Sequence, residues 1–183
     1  MKTSMVNEEL APDVTDPDAY MEKSPSAGRM GKAAELLVSA TAIISTRGQL
    51  NVATAILDDD GIDLIFSRKG HPETLSVQVK SRFSDSDQVQ KGTFSTPIRE
   101  ATFAPAPDVY LLGIIVDVPT TSITHAWFIP SEVINERCKP NGQNTRVVSA
   151  SIKPGTKNQW VPFRVAPDQI GARIGDLLTG LQP

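Results

Sequence analysis

In the stretch Leu75-Ser76-Val77-Gln78-Val79-Lys80-Ser81-Arg82, apolar and polar residues alternate from Leu75 to Lys80. Successive side chains of a β-strand point to opposite faces, so such a stretch must put Leu75, Val77 and Val79 into a core and Ser76, Gln78 and Lys80 on the other face. Upstream, Ile62–Arg68 repeats the pattern with Ile62, Leu64 and Phe66 on one face and Asp63 out of step with them. Lys69-Gly70-His71-Pro72 separates the two segments and reads as a break. Val52–Leu57 reads as a preceding strand, joined through Asp58-Asp59-Asp60-Gly61, where acids before a glycine signal a turn rather than a metal cluster. The centre of the chain is therefore expected to be a three-strand meander with one face buried.

A helix is expected from Gly28–Gly31 to about Thr46, because Ala33, Leu36, Leu37, Ala40, Ile43 and Ile44 recur at helical spacing and Gly48 suits a C-terminal cap. Residues 83–107 are polar and then proline-rich, with room for a short strand around Thr93–Ile98. Val109–Val116 is the most apolar segment and is expected to be a central strand. Ile123–Ile129 reads as another strand, followed by a short helix to about Cys138 capped by Ser131. Strands are expected at Arg146–Ile152 and Trp160–Val165, and a last helix from Asp168 to Leu181. The fold class is α/β in the mixed α+β sense: a central mixed sheet flanked by helices.

With 183 residues, 39% of them hydrophobic, the chain is long enough for one domain with a real core plus a tail. Residues 1–26 form the expected tail and 27–183 the domain. Residues 1–25 hold six acids (Glu8, Glu9, Asp13, Asp16, Asp18, Glu22) against Lys2 and Lys23, a net −4 that leaves +1 of the overall −3 for the remainder. Having no apolar period, the tail is expected to be disordered, and deleting residues 1–25 should leave the melting temperature within about 2 °C of the full chain. A larger loss in a thermal melt would show the segment docked. The longest apolar run is too short for a membrane span, there is no basic and then apolar leader, and the single cysteine, Cys138, cannot form an internal disulfide. These features point to the cytoplasm and away from membranes.

The polar faces carry the chemistry. Phosphodiester hydrolysis uses a metal to bind the phosphate and activate water, and Mg(II) prefers oxygen ligands, often one or two carboxylates with water. Asp63 offers a carboxylate, Gln78 a neutral carbonyl oxygen, and Lys80 an ammonium on the same strand face as Gln78. Paired as a hairpin, the two strands would bring all three together. Glu35, in Gly31-Lys32-Ala33-Ala34-Glu35, lies about 140° around its helix from the aliphatic stripe and is not expected in the core.

This order of motifs resembles the PD-(D/E)xK, or restriction-endonuclease-like, nuclease superfamily. That core begins with a helix that often bears a glutamate, continues into a meander with an aspartate on its second strand and a (D/E/Q)xK element on its third, and adds a helix and a further strand. The resemblance covers roughly residues 28–130. It implies that Glu35, Asp63, Gln78 and Lys80 are catalytic positions, that Asp63, Gln78 and Glu35 hold Mg(II), with Mn(II) as a substitute, and that the substrate is nucleic acid, with DNA expected. Gln78-Val79-Lys80 resembles the glutamine variant of Mrr-like nucleases. Two features depart from the pattern: Gln78 stands where an acid is commoner, and residues 83–107 do not read as the expected core helix. The alternatives are a nuclease fold without catalysis, serving as a binding or assembly module, and an unrelated α/β binding protein in which Asp63 and Lys80 merely pair across strands. A homodimer or a protein partner is compatible with either nuclease-fold reading.

Other residues point elsewhere. His71 and His125 have no partners at zinc spacing, and Cys138 has no nucleophile pattern around it. Trp127, Phe128, Trp160 and Phe163 are expected in the core rather than on a base-stacking surface. Arg47, Arg68, Lys69, Arg82, Lys91 and Arg99 surround the site in sequence, where solvated surface charge is the commoner fate.

Overall fold

The computed structural model describes residues 25–55 and 61–181. Residues 1–24 of the expected tail and the turn acids Asp58, Asp59 and Asp60 lie outside these residues, while Pro25 and Ser26, expected in the tail, are the first residues of a helix. Helix α1 (Pro25–Ser45) is followed by strands β1 (Leu50–Thr54), β2 (Leu64–Arg68) and β3 (Thr74–Phe83), the one-turn helix α2 (Asp87–Gln90) and strand β4 (Thr93–Arg99). Then come β5 (Val109–Asp117), β6 (Ser122–Pro130), α3 (Ser131–Arg137), β7 (Thr145–Ser151), β8 (Arg164–Val165) and α4 (Ile170–Gly180).

Six strands form one sheet in the order β1-β2-β3-β5-β6-β8. β3 and β5 run parallel and every other neighbouring pair is antiparallel, so the sheet is mixed, as expected. β5 is buried along nearly its whole length, which explains its unbroken apolar sequence. Its side chains serve two cores: Leu112, Ile114 and Val116 join Leu64, Phe66, Leu75 and Val77 under α1 and α4. Leu111 and Ile115 face the other way and join Phe94, Trp127, Ile129, Val148 and Trp160. That second core is roofed mainly by a separate two-stranded ribbon, β4 paired antiparallel with β7. The sheet is thus covered by two helices on one face and by a ribbon with the short α3 on the other.

Gly113 of β5 shows how closely the ribbon is set. A Cβ built there would lie 2.7 Å from Phe94 Cζ, and the Phe94 ring is stacked on Trp127 with centroids 5.1 Å apart. Gly113→Ala should therefore cost about 1–3 kcal/mol through overpacking, read as a lowered denaturant midpoint with unchanged slope. A neutral result would mean that the ribbon shifts freely.

Three local expectations need correction. Helix α1 does not bury the stripe its large residues suggest: Leu36, Ile43 and Ile44 are exposed at 57%, 39% and 75%, while Ala34, Val38 and Ala42 are buried. Ser131 does not cap α3; its hydroxyl donates to the Ala106 carbonyl at 3.0 Å and accepts from the Ala106 N–H at 2.9 Å, tying the 100–108 loop to the helix start. The segment from Trp160 to Val165 is mostly a 3-10 turn (Val161–Phe163), with only Arg164 and Val165 as strand. Gly48 ends α1 as expected, with φ +76° and its N–H donating to the Ile43 carbonyl at 2.9 Å. Trp127, Phe128 and Trp160 are buried and Phe163 packs against them or nearby core, so the aromatic residues are core material. No helix among the described residues is long and apolar enough to cross a membrane.

Candidate active site

Strands β2 and β3 pair from Leu64↔Val77 to Ser67↔Thr74, so their paired stretch stops just short of Asp63. Asp63 takes over the hydrogen-bonding edge of β3 there. Its backbone N–H donates to the Val77 carbonyl at 3.0 Å, and its carboxylate Oδ2 accepts from the Val79 N–H at 2.6 Å. That short contact to a carboxylate is of the charge-assisted kind, and it fixes the carboxyl group at the point where the two strands part.

A cleft of about 530 Å³ opens at this point. Asp63 lines it together with Lys80 and Arg82 of β3, Glu35 and Gly31 of α1, and Pro97 of β4. Three of the four expected residues, Glu35, Asp63 and Lys80, thus share one cavity. Glu35 is mostly buried, its side chain 15% exposed, and it accepts a 2.7 Å ion pair from Lys32, one turn before it and half exposed. Arg82 extends the polar row of Gln78 and Lys80 by two residues, the signal that marks it as a cleft residue from sequence. Its Nε donates to Gln88 Oε1 at 3.2 Å and its Nη1 to the Ser81 carbonyl at 3.0 Å. Burial lowers the Arg82 pKa from its ordinary value, although a guanidinium stays charged at neutral pH.

Gln78 stands apart from the other three. It is 4% exposed, does not line the cleft, and its Oε1 is buried without a hydrogen-bond partner. Its amide nitrogen is packed against Gly61: a Cβ built on Gly61 would lie 2.7 Å from Gln78 Nε2 and 2.6 Å from the Thr102 carbonyl oxygen. Gly61 also has φ +63°, so both its conformation and its lack of a side chain are needed where the chain passes over Gln78. A buried amide oxygen with no partner is costly in a folded protein.

The donors present suit a hard cation. The two carboxylates of the cleft lining are oxygen donors, the kind that Mg(II) or Mn(II) prefers, and the lining includes no histidine or cysteine. No group of three or more His, Cys, Asp or Glu side chains that could hold a metal occurs among the described residues, and the carboxylates in the cleft lining among them are Asp63 and Glu35. The other titratable candidates lie elsewhere. His71 is exposed, and His125 on β6 has its pKa lowered by burial and then by Arg164. Cys138 is buried, and burial raises its pKa.

The mixed sheet with α1 and α4 on one face thus carries a cleft at a strand end beside Asp63. In overall structure the chain is similar to a bacterial homing endonuclease, I-Ssp6803I, with a TM-score of 0.50 and 17% identity, over 86% of this chain and 94% of the endonuclease. At that identity the likeness is one of fold. No protein-family model matches the sequence, and no curated protein does.

Proposed function

We propose that the chain is a metal-dependent endonuclease that hydrolyses phosphodiester bonds of nucleic acid, with DNA as the substrate. The observation that carries this reading is the gathering of Asp63, Glu35 and Lys80 in one cleft at the parting of β2 and β3, on a fold shared with a solved endonuclease. The order of motifs supports assigning it to the PD-(D/E)xK nucleases with a glutamine in the third motif.

In this reading Asp63 and Glu35 hold Mg(II) by their carboxylates, with Gln78 Oε1 as a neutral third donor. The cation, when bound, supplies Lewis acidity toward the phosphate and toward a bound water. The protein groups do the rest. The Lys80 ammonium balances negative charge that builds on the phosphate oxygens, or holds the attacking water by a hydrogen bond. Arg82 offers a planar fork of donors suited to a phosphate. Asp63 keeps its position because Val79 N–H grips one carboxylate oxygen.

A second reading, a nuclease fold used only for binding, draws on Gln78 lying outside the cleft lining and on Glu35 being engaged by Lys32. Incubating plasmid and single-stranded DNA with Mg(II) or Mn(II) separates the two. The expected result is cleavage by the wild-type chain, its loss with chelator, and a fall on the order of 10²-fold in Lys80→Ala. Nicking that is equal in wild type and Lys80→Ala, or absent with every metal while DNA still binds, favours the binding module.

A further inference from the structure

The β4–β7 ribbon has an outer face that neither core uses. Phe94, Thr96 and Ile98 point inward from β4, leaving Thr93, Ser95, Pro97 and Arg99 on the other side. Directly opposite on β7, Ser149 pairs with Ser95 and Val147 with Pro97, and both Ser149 and Val147 are exposed. No outward position of either strand holds an acid, although the chain has 21 acids and a net charge of −3. Cations frame the ribbon: exposed Lys91 and Lys153 at one end, where Lys153 lies over Gly92, and Arg99 at the other. Pro97 belongs both to this outer row and to the lining of the cleft, so the face runs on into the candidate active site.

We infer that this outer face is a groove-reading surface for double-stranded DNA, with Ser95, Ser149 and Val147 as the residues that meet base edges. The inference rests on the nuclease reading and adds the substrate's strand state and the specificity surface. A two-stranded ribbon is one of the elements that the major groove, about 12 Å wide, admits. Seven residues per strand make the ribbon about 23 Å long, about two-thirds of a helical turn of duplex. Serine and threonine hydroxyls hydrogen-bond to either kind of base edge, and valine methyls meet the thymine methyl. The framing lysines and arginine suit the phosphates on either side of a groove, and the carboxylate beside Arg99 at the ribbon's end, Glu100, is engaged by Arg146 at 2.6 Å. Proline at 97 removes a backbone donor from β4, which keeps that strand from pairing with another chain and leaves the ribbon two strands wide.

The test places charge on the exposed face, where folding is not at stake. A Val147→Glu/Ser149→Glu double variant should keep the wild-type melting temperature and lose duplex affinity by about 100-fold or more, since like charges at a docking surface are strongly unfavourable. Ile44→Glu, on the exposed face of α1, serves as the control and should bind as wild type does. The probe is a pool of random-sequence duplexes, with a single strand of equal length alongside, and binding is read without metal so that no cleavage intervenes. In the same pool with Mn(II), Ser149→Ala should change which sequences are cut, read as a cleavage profile that departs from the wild-type one. Duplex binding and cutting by the double variant equal to wild type would overturn the ribbon's role and leave the nuclease reading standing. Wild-type binding confined to the single strand would overturn the ribbon's role as well. No binding of either nucleic acid by the wild type would overturn both readings.

Discussion

Asp63→Asn removes metal-dependent cleavage, with an expected loss on the order of 10³-fold, while the fold survives. Both halves of this result follow from what the side chain touches. Asparagine is nearly isosteric, and its amide oxygen can still accept the Val79 N–H that the aspartate now accepts at 2.6 Å. The exchange weakens a charge-assisted hydrogen bond to a neutral one, a cost of about 1 kcal/mol, and leaves the strand end closed. Charge, however, is what the site lacks most. On the proposed reading Asp63 and Glu35 would be the two anionic ligands of a divalent cation, and Glu35 is already in an ion pair with Lys32. Losing Asp63 leaves a neutral amide oxygen and one shared carboxylate, too little to hold Mg(II) against its hydration shell. Activity should be read at several Mn(II) concentrations beside a circular dichroism melt. Cleavage that persists at wild-type rate in a folded Asp63→Asn protein would exclude Asp63 as a ligand and with it the assignment of this cleft.

The strands were legible because their patterns are strict. A period of two admits only one register against a buried face, so Leu64, Phe66, Leu75 and Val77 could be placed in the core and Lys80 on the opposite face from residue types alone, whereas the burial of Gln78 away from the cleft has no signal in that period. Helix α1 was misread for a physical reason. It carries apolar residues on both sides, and the larger ones dominate any reading of periodicity. Yet the inner side is chosen by space rather than by hydrophobicity: α4 approaches so closely that a Cβ on Gly171 would lie 2.9 Å from the Ala42 carbonyl and from Thr46 Cγ2. A small residue, Ala42, lies at that contact, and Leu36 and Ile44 are turned outward. The placement of Glu35 off the core survived the error because it sits one residue, about 100°, from Ala34, on the flank that meets the cleft.

The ribbon was legible only in pieces. Thr93–Ile98 and Arg146–Ile152 each read as strands, but the two are some fifty residues apart and their pairing with each other rather than with the main sheet has no local signal. What decides it is Gly113, the one position on β5 without a side chain, which makes room for Phe94 to lie against the sheet and stack on Trp127. A glycine in an otherwise wholly apolar central strand marks a close approach of this kind, and it is the sequence feature from which the covering of the second face could have been foreseen.

Gln78→Glu should make the stability of the protein depend on metal. In the wild type the Gln78 oxygen is buried, partnerless and neutral, so its cost is that of an unmade hydrogen bond, about 1–3 kcal/mol. A carboxylate in the same place is an uncompensated buried charge, which costs several kcal/mol more and should lower the melting temperature by about 5–10 °C in the absence of metal. If Gln78 is a ligand, Mn(II) at 100 times its dissociation constant returns about 2.7 kcal/mol, and it binds the variant more tightly because one more negative charge faces it. The gap between variant and wild type should therefore narrow as Mn(II) is added, and it should stay open with chelator. Gln78→Leu gives the opposite pattern. It removes the orphaned oxygen at similar volume, so the metal-free melting temperature holds or rises, while the shift produced by Mn(II) shrinks. The three proteins melted side by side, with and without Mn(II), decide the matter. A Gln78→Glu protein that stays equally destabilised at every Mn(II) concentration would show that the buried oxygen faces protein rather than metal, and that Asp63 and Glu35 alone must hold any cation in the cleft.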